Sequence, residues 1–373
     1  MRILHLTSHL RPGGIPSYVV ELAGRLAGRG HEIIVASGGG ALEPALAASG
    51  VASWRVPLDT SVEFSWPVVL SGARLRRRLD NDPVDLIHAH TRVAQVVAEW
   101  LWRTRRIPYV TTWHGIYRAR LGRRWWPCTG RLTIAISEPV SLHLRELFDV
   151  PSAAIRVIPH GVDVERFSAP LPEDDRKRLR DRWRLSADQP LVGTIARLVP
   201  EKGVDALLTA WAQVTSASAR AVLAIIGEGR QRRRLEHLAK RLGVASSVRF
   251  VGAVTDTHQA LSLMDVFVFL PTPQEGLGLV FLEAMAAARA IVSVRRGRSG
   301  ATWLMEDSGA GVIVEGGDRG RLAEAIARLL ADPARARRLG EQARRIAEAR
   351  YNLSEMVSET ERVYRDCLDM ATR

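Results

Sequence analysis

Lysine is almost missing from this chain. Of 53 basic residues only Lys177, Lys202 and Lys240 are lysines, and all the others are arginine. A lone arginine therefore carries little information, whereas a lysine at a motif position carries more. Cysteine is nearly as scarce. Cys128 and Cys367 stand far apart and in no metal-ligand spacing, which argues against a disulfide framework or a zinc site and fits a reducing cytoplasm. No run of about 18 apolar residues occurs, so nothing reads as a membrane span. The opening MRILHLTSHL has one Arg and a short apolar stretch, the pattern of a buried strand rather than a secretory leader. Acid is in deficit too. With 40 Asp and Glu the formal charge is +13, which calls for an acidic partner: nucleotide diphosphate, anionic lipid or nucleic acid.

At 373 residues, 46% of them hydrophobic, the chain fits two soluble globular domains of ordinary size. The first series of elements opens with a strand at 3–6, a glycine turn at Arg11-Pro12-Gly13-Gly14 and a helix over about 17–29, closed by Gly30. Further strands are predicted at 32–36, 86–88, 109–112, 133–136 and 155–158. Past 163–167 the polar SAPLPEDDRKRLR reads as a linker entering a helix. Alternation then restarts, with strands at 191–195, 221–226, 248–250, 266–270 and 291–294. Helices are predicted between them at 204–214, 231–242, 257–264 and 279–288. From 319 onward the sequence is largely helical, with a break near Tyr351-Asn352. Short apolar runs, each followed by helical periodicity, predict an α/β fold of two doubly wound parallel-sheet domains. Ligands are then expected at the C-terminal strand ends, in a cleft between the domains.

The most informative string is PTPQEGLGLVFLEAMA, residues 271–286. Glu275 ends a loop, Gly276 and Gly278 free the backbone, and a helix begins near Leu279. Amides at such a helix start favour an anion or a ring of sugar hydroxyls. Glu283, a turn into the helix, adds a carboxylate that can accept two hydrogen bonds from a vicinal diol. Read alone, Glu275 is a cap and Glu283 a solvated helix residue; within the whole string the functional reading prevails.

This string resembles the signature of the retaining GT-B glycosyltransferases whose two glutamates stand seven residues apart (glycosyltransferase family four, the group 1 glycosyl transferases). The resemblance implies the GT-B fold, two Rossmann-like domains facing a cleft. It implies that Glu275 contacts donor-sugar hydroxyls, that the amides of Gly276, Leu277, Gly278 and Leu279 hold sugar and phosphates, and that Glu283 binds the ribose. GTIARLVPEKGVDALLTAW is similar to the family's strand and loop in which Arg197 and Lys202 clamp the diphosphate. AIIGEGRQRRRLEHLAKRLGVASSVRFVGAV matches the segment around the base, with Val251 to Val254 as base contacts. TIAISEPVSLHLRELFDVPSAAIRVIPHGVDVERF matches the passage out of the first domain, so the likeness covers nearly the whole chain. Gly13 and Gly14 occupy the family's glycine turn near the phosphates or acceptor, and His114 in VTTWHGIY its donor-sugar histidine. The implied division is 1–168 for acceptor binding, 169–350 for the nucleotide sugar, and a terminal helix over 351–373 crossing back to the first domain. Departures also occur. Ala288 and Ala290 replace the usual Gly and Pro, and RRGRSGATWL replaces a glycine loop, with Trp303 near the position of the family's Glu. Arg295, Arg296 and Arg298 in that loop suit either an anionic ligand or a solvated basic loop.

From Trp100 to Ser137 there are eight arginines, no Asp or Glu, and five of the ten tryptophans. Such a mixture suits an anionic membrane surface, with Arg118, Arg120, Arg123, Arg124, Trp125 and Trp126 as docking residues. A solvated face with buried Trp, or an RNA-binding surface, are the other readings; no nucleic-acid fold motif accompanies the charge, and no nucleic-acid partner is expected.

The expected activity is transfer of a sugar from a nucleoside-diphosphate sugar, UDP-sugar favoured, to a hydroxyl of a lipid-linked or cell-envelope acceptor with retention. No separate cofactor is expected, and no Asp-x-Asp at a strand end suggests a metal. The expected location is the cytoplasm, peripheral on the inner membrane face. Other possibilities are transfer to a soluble acceptor, a nucleotide-sugar epimerase, or a non-catalytic sugar-nucleotide-binding protein. Products formed without any acceptor would mark an epimerase, and binding without turnover a non-catalytic protein.

Overall fold

A computed structural model describes residues 1–117 and 121–372. The chain divides into two compact units, Met1–His160 with Ser354–Arg373, and Gly161–Leu353. The first unit holds a seven-stranded parallel sheet. Its strands are β1 (Arg2–Leu6), β2 (Glu32–Ser37), β3 (Ala52–Arg55), β4 (Leu86–Ala89), β5 (Tyr109–Trp113), β6 (Leu132–Ala135) and β7 (Ile155–Val157), in the order β3-β2-β1-β4-β5-β6-β7. The second unit holds a six-stranded parallel sheet. Here β8 (Leu191–Ile195), β9 (Val222–Ile226), β10 (Val248–Gly252), β11 (Val266–Phe269), β12 (Ala290–Arg295) and β13 (Val312–Glu315) run in the order β10-β9-β8-β11-β12-β13. Both units are therefore the doubly wound α/β type that the strand and helix alternation predicts.

The central strands are apolar along their whole length because helices cover both faces of each sheet. Leu86–Ala89, Leu132–Ala135 and Val222–Ile226 are buried at every position. Edge strands give a weaker signal. Ala52–Arg55 buries only Trp54 and Val312–Glu315 only Val314, so neither stands out in the sequence. The helix Trp66–Asn81 is also hidden in an arginine-rich segment. Its buried stripe of Val68, Ser71, Gly72, Leu75 and Leu79 is narrow. Gly72 is required there, since a Cβ would fall 2.2 Å from the ring of Trp100.

Two boundaries differ from the sequence reading. The division falls after His160 rather than after 168. The reason is local: Val162 donates to Tyr351 O at 2.8 Å and accepts from Leu353 N–H at 3.2 Å, so the chain enters and leaves the second unit side by side. The segment RRGRSGATWL, read as a loop, is only partly one. Only residues 296–299 separate β12 from the helix Gly300–Ser308, on which Trp303 is 36% exposed. The terminal helix Leu353–Thr372 belongs, from Ser354, to the first unit. Its Tyr364 hydroxyl is bonded to His88 Nδ1 at 2.7 Å, and its Glu361 pairs with Arg29 and His31.

Candidate functional site

In a parallel sheet every strand ends at the same edge, so the loops that follow β8, β11 and β12 share one rim of the second unit. Strand order places them next to one another. The loop after β8 brings Arg197 and Lys202, the loop after β11 brings Glu275, and that after β12 brings Arg296. The structure joins two of the sequence-predicted residues directly: Lys202 Nζ lies 2.6 Å from Glu275 Oε2. The same oxygen accepts from Thr272 N–H at 3.0 Å, so Glu275 is held on two sides. Arg197 is exposed, and among the described residues none pairs with its side chain.

Gly278 caps the helix Leu279–Ala286 with φ 90°, where a Cβ would fall 2.7 Å from Phe269. Only glycine fits, and the turn it makes folds the loop so that Gly276 and Leu277 are buried while Leu279 opens the helix. The side chain of Leu277 is core, leaving only its backbone for any ligand. Glu283, a turn further on, has Oε2 inaccessible and without a partner. Burial raises its carboxyl to about 7, against a hydrogen bond from Thr257 and the charge of Arg166 that pull the other way. An unsatisfied buried carboxylate oxygen is an acceptor without its donor. Val251 lies in β10 and Val254 just beyond it, both half-buried on that same strand-end side. Ala288, where the resembled family has glycine, keeps the left-handed backbone with φ 54°.

The first unit carries a second constellation. Its strand ends gather His5, His88, His90, His114 and His160, all buried, half of the ten histidines in the chain. His5 and His88 are register partners across β1 and β4. His5 Nδ1 meets His90 Nε2 at 3.0 Å and His114 Nδ1 meets His160 Nε2 at 3.0 Å. Tyr18 packs against His90, His114 and His160 with centroids 4.7–5.7 Å away. Desolvation holds all five imidazoles well below their usual pKa, His5 and His160 at about 3. Among the described residues only His5, His88 and His90 are close enough to share a cation, within 4.8 Å of one another. Both nitrogens of His88 are already taken, by Tyr364 and by Thr112 Oγ1 at 2.7 Å, so the bonds describe a neutral network. His114 Nε2 has no partner and is the one predicted atom in this group. The other four histidines escaped the sequence reading, although His88-Ala-His90 at the end of β4 and His160 after β7 were visible as polar residues at strand ends. Gly13 and Gly14 begin the helix Gly14–Gly28, and a Cβ there would meet nothing nearer than 3.9 Å. Their own fold does not demand glycine.

The basic aromatic stretch needs correction. Arg118 and Arg120 lie outside the described residues. Arg123 is buried, not a docking residue: it lies 3.5 Å from Glu63 and over the rings of Trp113 and Tyr117. Trp126 is half-buried, stacked on Phe64. Arg124 and Trp125 are exposed, Trp125 by 85%, and Phe64 and Trp66, which the sequence reading passed over, are exposed by 62% and 74%. No described helix is long and apolar enough to cross a membrane.

Comparison with known proteins agrees with the geometry. The profile described as "Glycosyl transferases group 1" matches residues 175–346, and that described as "Glycosyltransferase Family 4" matches residues 12–166. The chain is 32% identical to the GDP-mannose-dependent alpha-(1-6)-phosphatidylinositol monomannoside mannosyltransferase of Mycobacterium tuberculosis, over 94% of each chain. It is 30% identical to D-inositol 3-phosphate glycosyltransferase 2 of Catenulispora acidiphila, over 94% of this chain and 90% of the relative. In fold it is similar to Anabaena HepE crystallised with UDP-glucose, with TM-score 0.83 and 23% identity over 97% of this chain and 100% of that one. The chain thus belongs to the group 1, family 4 glycosyltransferases, and its two Rossmann-like sheets are those of the GT-B fold.

Proposed function

We propose that the enzyme takes a sugar from a nucleoside-diphosphate sugar and places it, with retention, on a hydroxyl of a lipid-linked acceptor. The observation that carries the donor half is the rim of the second unit: a Lys202–Glu275 ion pair, the exposed Arg197, and the unpartnered Glu283 Oε2. In this reading Glu283 accepts from the ribose diol, Arg197 and Lys202 meet the diphosphate, and Val251 and Val254 border the base. The backbone of Gly276, Leu277, Gly278 and Leu279 faces sugar and phosphate. Glu275 orients Lys202 and contacts the sugar, and His114 offers its free Nε2 to a sugar hydroxyl. Gly13 and Gly14 leave room for a ligand close to the backbone. The bond from the anomeric carbon to the phosphate oxygen breaks, the acceptor oxygen bonds to that carbon on the same face, and its proton passes to the departing phosphate. Charge stabilisation and positioning are then the protein's contribution, and no metal or further cofactor enters the scheme.

The relative from M. tuberculosis takes GDP-mannose, which favours a guanosine donor over the uridine that the sequence reading prefers. A lipid-linked acceptor fits the aromatic surface of Phe64, Trp66 and Trp125, beside Arg124, as a peripheral contact with anionic lipid. Incubation with GDP-mannose, UDP-glucose and other nucleotide sugars, with glycolipid and soluble acceptors, tests the reading. The expected product is a glycolipid with the donor's anomeric configuration. Product of inverted configuration, or donor binding without transfer to any lipid acceptor, would overturn it.

A further inference from the structure

The cations of the rim are not equally free: Arg197 is exposed, whereas others are held by carboxylates. Lys202, the residue that the sequence singles out, is already neutralised by Glu275 at 2.6 Å, and both side chains are mostly buried. Arg295 is spent as well: it is bonded to Glu306 and to Glu315, tying β12 to β13 and to the helix Gly300–Ser308. Its neighbour Arg296 is placed differently. It reaches back across the rim to the loop after β8, where Nη1 donates to the carbonyl of Glu201 at 3.4 Å. Its guanidinium rests on Gly203. A Cβ at that position would fall 2.1 Å from Nη2 and 2.3 Å from Nη1, and Gly203 also has φ 63°. Glycine at 203 therefore serves both the turn and the seat of the guanidinium.

Gly203 is the cap of the helix Val204–Ala217. A cation close to a helix N-terminus meets the positive end of the peptide dipoles, a repulsion that an anion bound there would offset. No carboxylate of the described residues pairs with Arg296, and Asp205 in the first helical turn makes no ion pair with it. Arg296 adjoins Lys202, one residue before its seat. We infer that Arg296 is a diphosphate-binding residue, adding a planar, two-pronged positive charge to those of Arg197 and Lys202. The inference rests on the donor-site reading and adds to it. The departure from a glycine loop at 295–298 then becomes a functional substitution, one arginine bracing the sheet and the next meeting the ligand.

Calorimetric titration of the full chain with GDP, UDP, guanosine and inorganic pyrophosphate tests this. Arg296→Gln should weaken the diphosphate that binds wild type about tenfold or more, leave guanosine unchanged, and lower the salt dependence of diphosphate binding. Arg296→Lys should fall between, since it keeps the charge but loses the fork. Thermal melting with pyrophosphate gives a second reading: wild type should be stabilised by it and Arg296→Gln much less. If Arg296→Gln binds the diphosphate as wild type does, the inference fails and the donor site stands. If wild type binds no nucleoside diphosphate, both fail together.

Discussion

Acidification should unfold the first unit before it affects the second. The perturbation is protonation of the histidine cluster. In the folded chain His5, His88, His90, His114 and His160 are neutral, held below their usual pKa by desolvation, and two of them titrate only near 3. In the unfolded chain each takes up a proton near 6.5. A depressed folded-state pKa in a base means that the unfolded state binds more protons between those values, so stability falls as pH falls through that window. Between pH 7.5 and 5.5 each group costs about 1.4 kcal/mol, and five together cost about 7 kcal/mol. That is comparable with the whole stability of an ordinary domain, about 5–15 kcal/mol. The second unit contains only His237 and His258, so its loss should be far smaller. Hydrogen exchange followed at both pH values separates the two units. Protection of the amides in β1, β4 and β5 should drop by several orders of magnitude, while that of β8 and β9 changes little. Equal losses in the two units, or resonances of these five imidazoles titrating near 6.5 in the folded protein, would refute the reasoning.

Three other outcomes follow from particular residues. Ala288→Gly should raise the unfolding free energy by about 0.5–1 kcal/mol, read as a higher urea midpoint, because relief of the left-handed alanine exceeds the entropy that glycine adds to the unfolded chain; a lower midpoint would contradict the assignment. Glu283 titrates at about 7 and must be ionised to accept fully from a ribose diol, so nucleoside diphosphate affinity should fall as pH drops through 7, and Glu283→Gln should bind weakly without that dependence; a variant with the wild-type pH profile would remove Glu283 from the site. Vesicles with anionic lipid should bind the protein at low salt, and Phe64→Ser, Trp66→Ser and Trp125→Ser together should abolish the part of binding that salt does not remove; sedimentation of the triple variant equal to wild type would acquit this surface.

What the sequence made legible depended on whether a signal was contiguous. Strands buried on both faces announce themselves as apolar runs, so β4, β6, β8 and β9 were found within a residue or two. The edge strands β3 and β13 and the arginine-rich helix Trp66–Asn81 bury one side chain in two or fewer, and no run marks them. The rim of the second unit was legible for the same reason: Glu275 to Glu283 is one unbroken string, and Lys202 stands out against a background of arginine. The histidine cluster draws on four separate strand ends, so its members become neighbours only through the order of the strands. Arg296 shows the limit most clearly. Its sequence neighbour Arg295 is chemically the same residue, and only the direction in which each leaves the end of β12 separates a brace from a binding group.

That direction follows from strand alternation. Successive residues of a strand point to opposite faces, so Arg295 and Arg296 diverge as β12 ends. Arg295 turns toward β13 and meets Glu315, its register partner there. Arg296 passes Gly316 with its Cγ and carries its guanidinium to the Lys202-Gly203 turn after β8. Its long side chain spans the rim because β11 is the only strand between β12 and β8. A lysine at 296 could cover the same distance but would bring a single point of charge, whereas the guanidinium can lie flat on Gly203 and still present an edge outward. With 50 arginines in the chain, the position that matters is thus marked by its glycine seat and its missing acid, not by residue type.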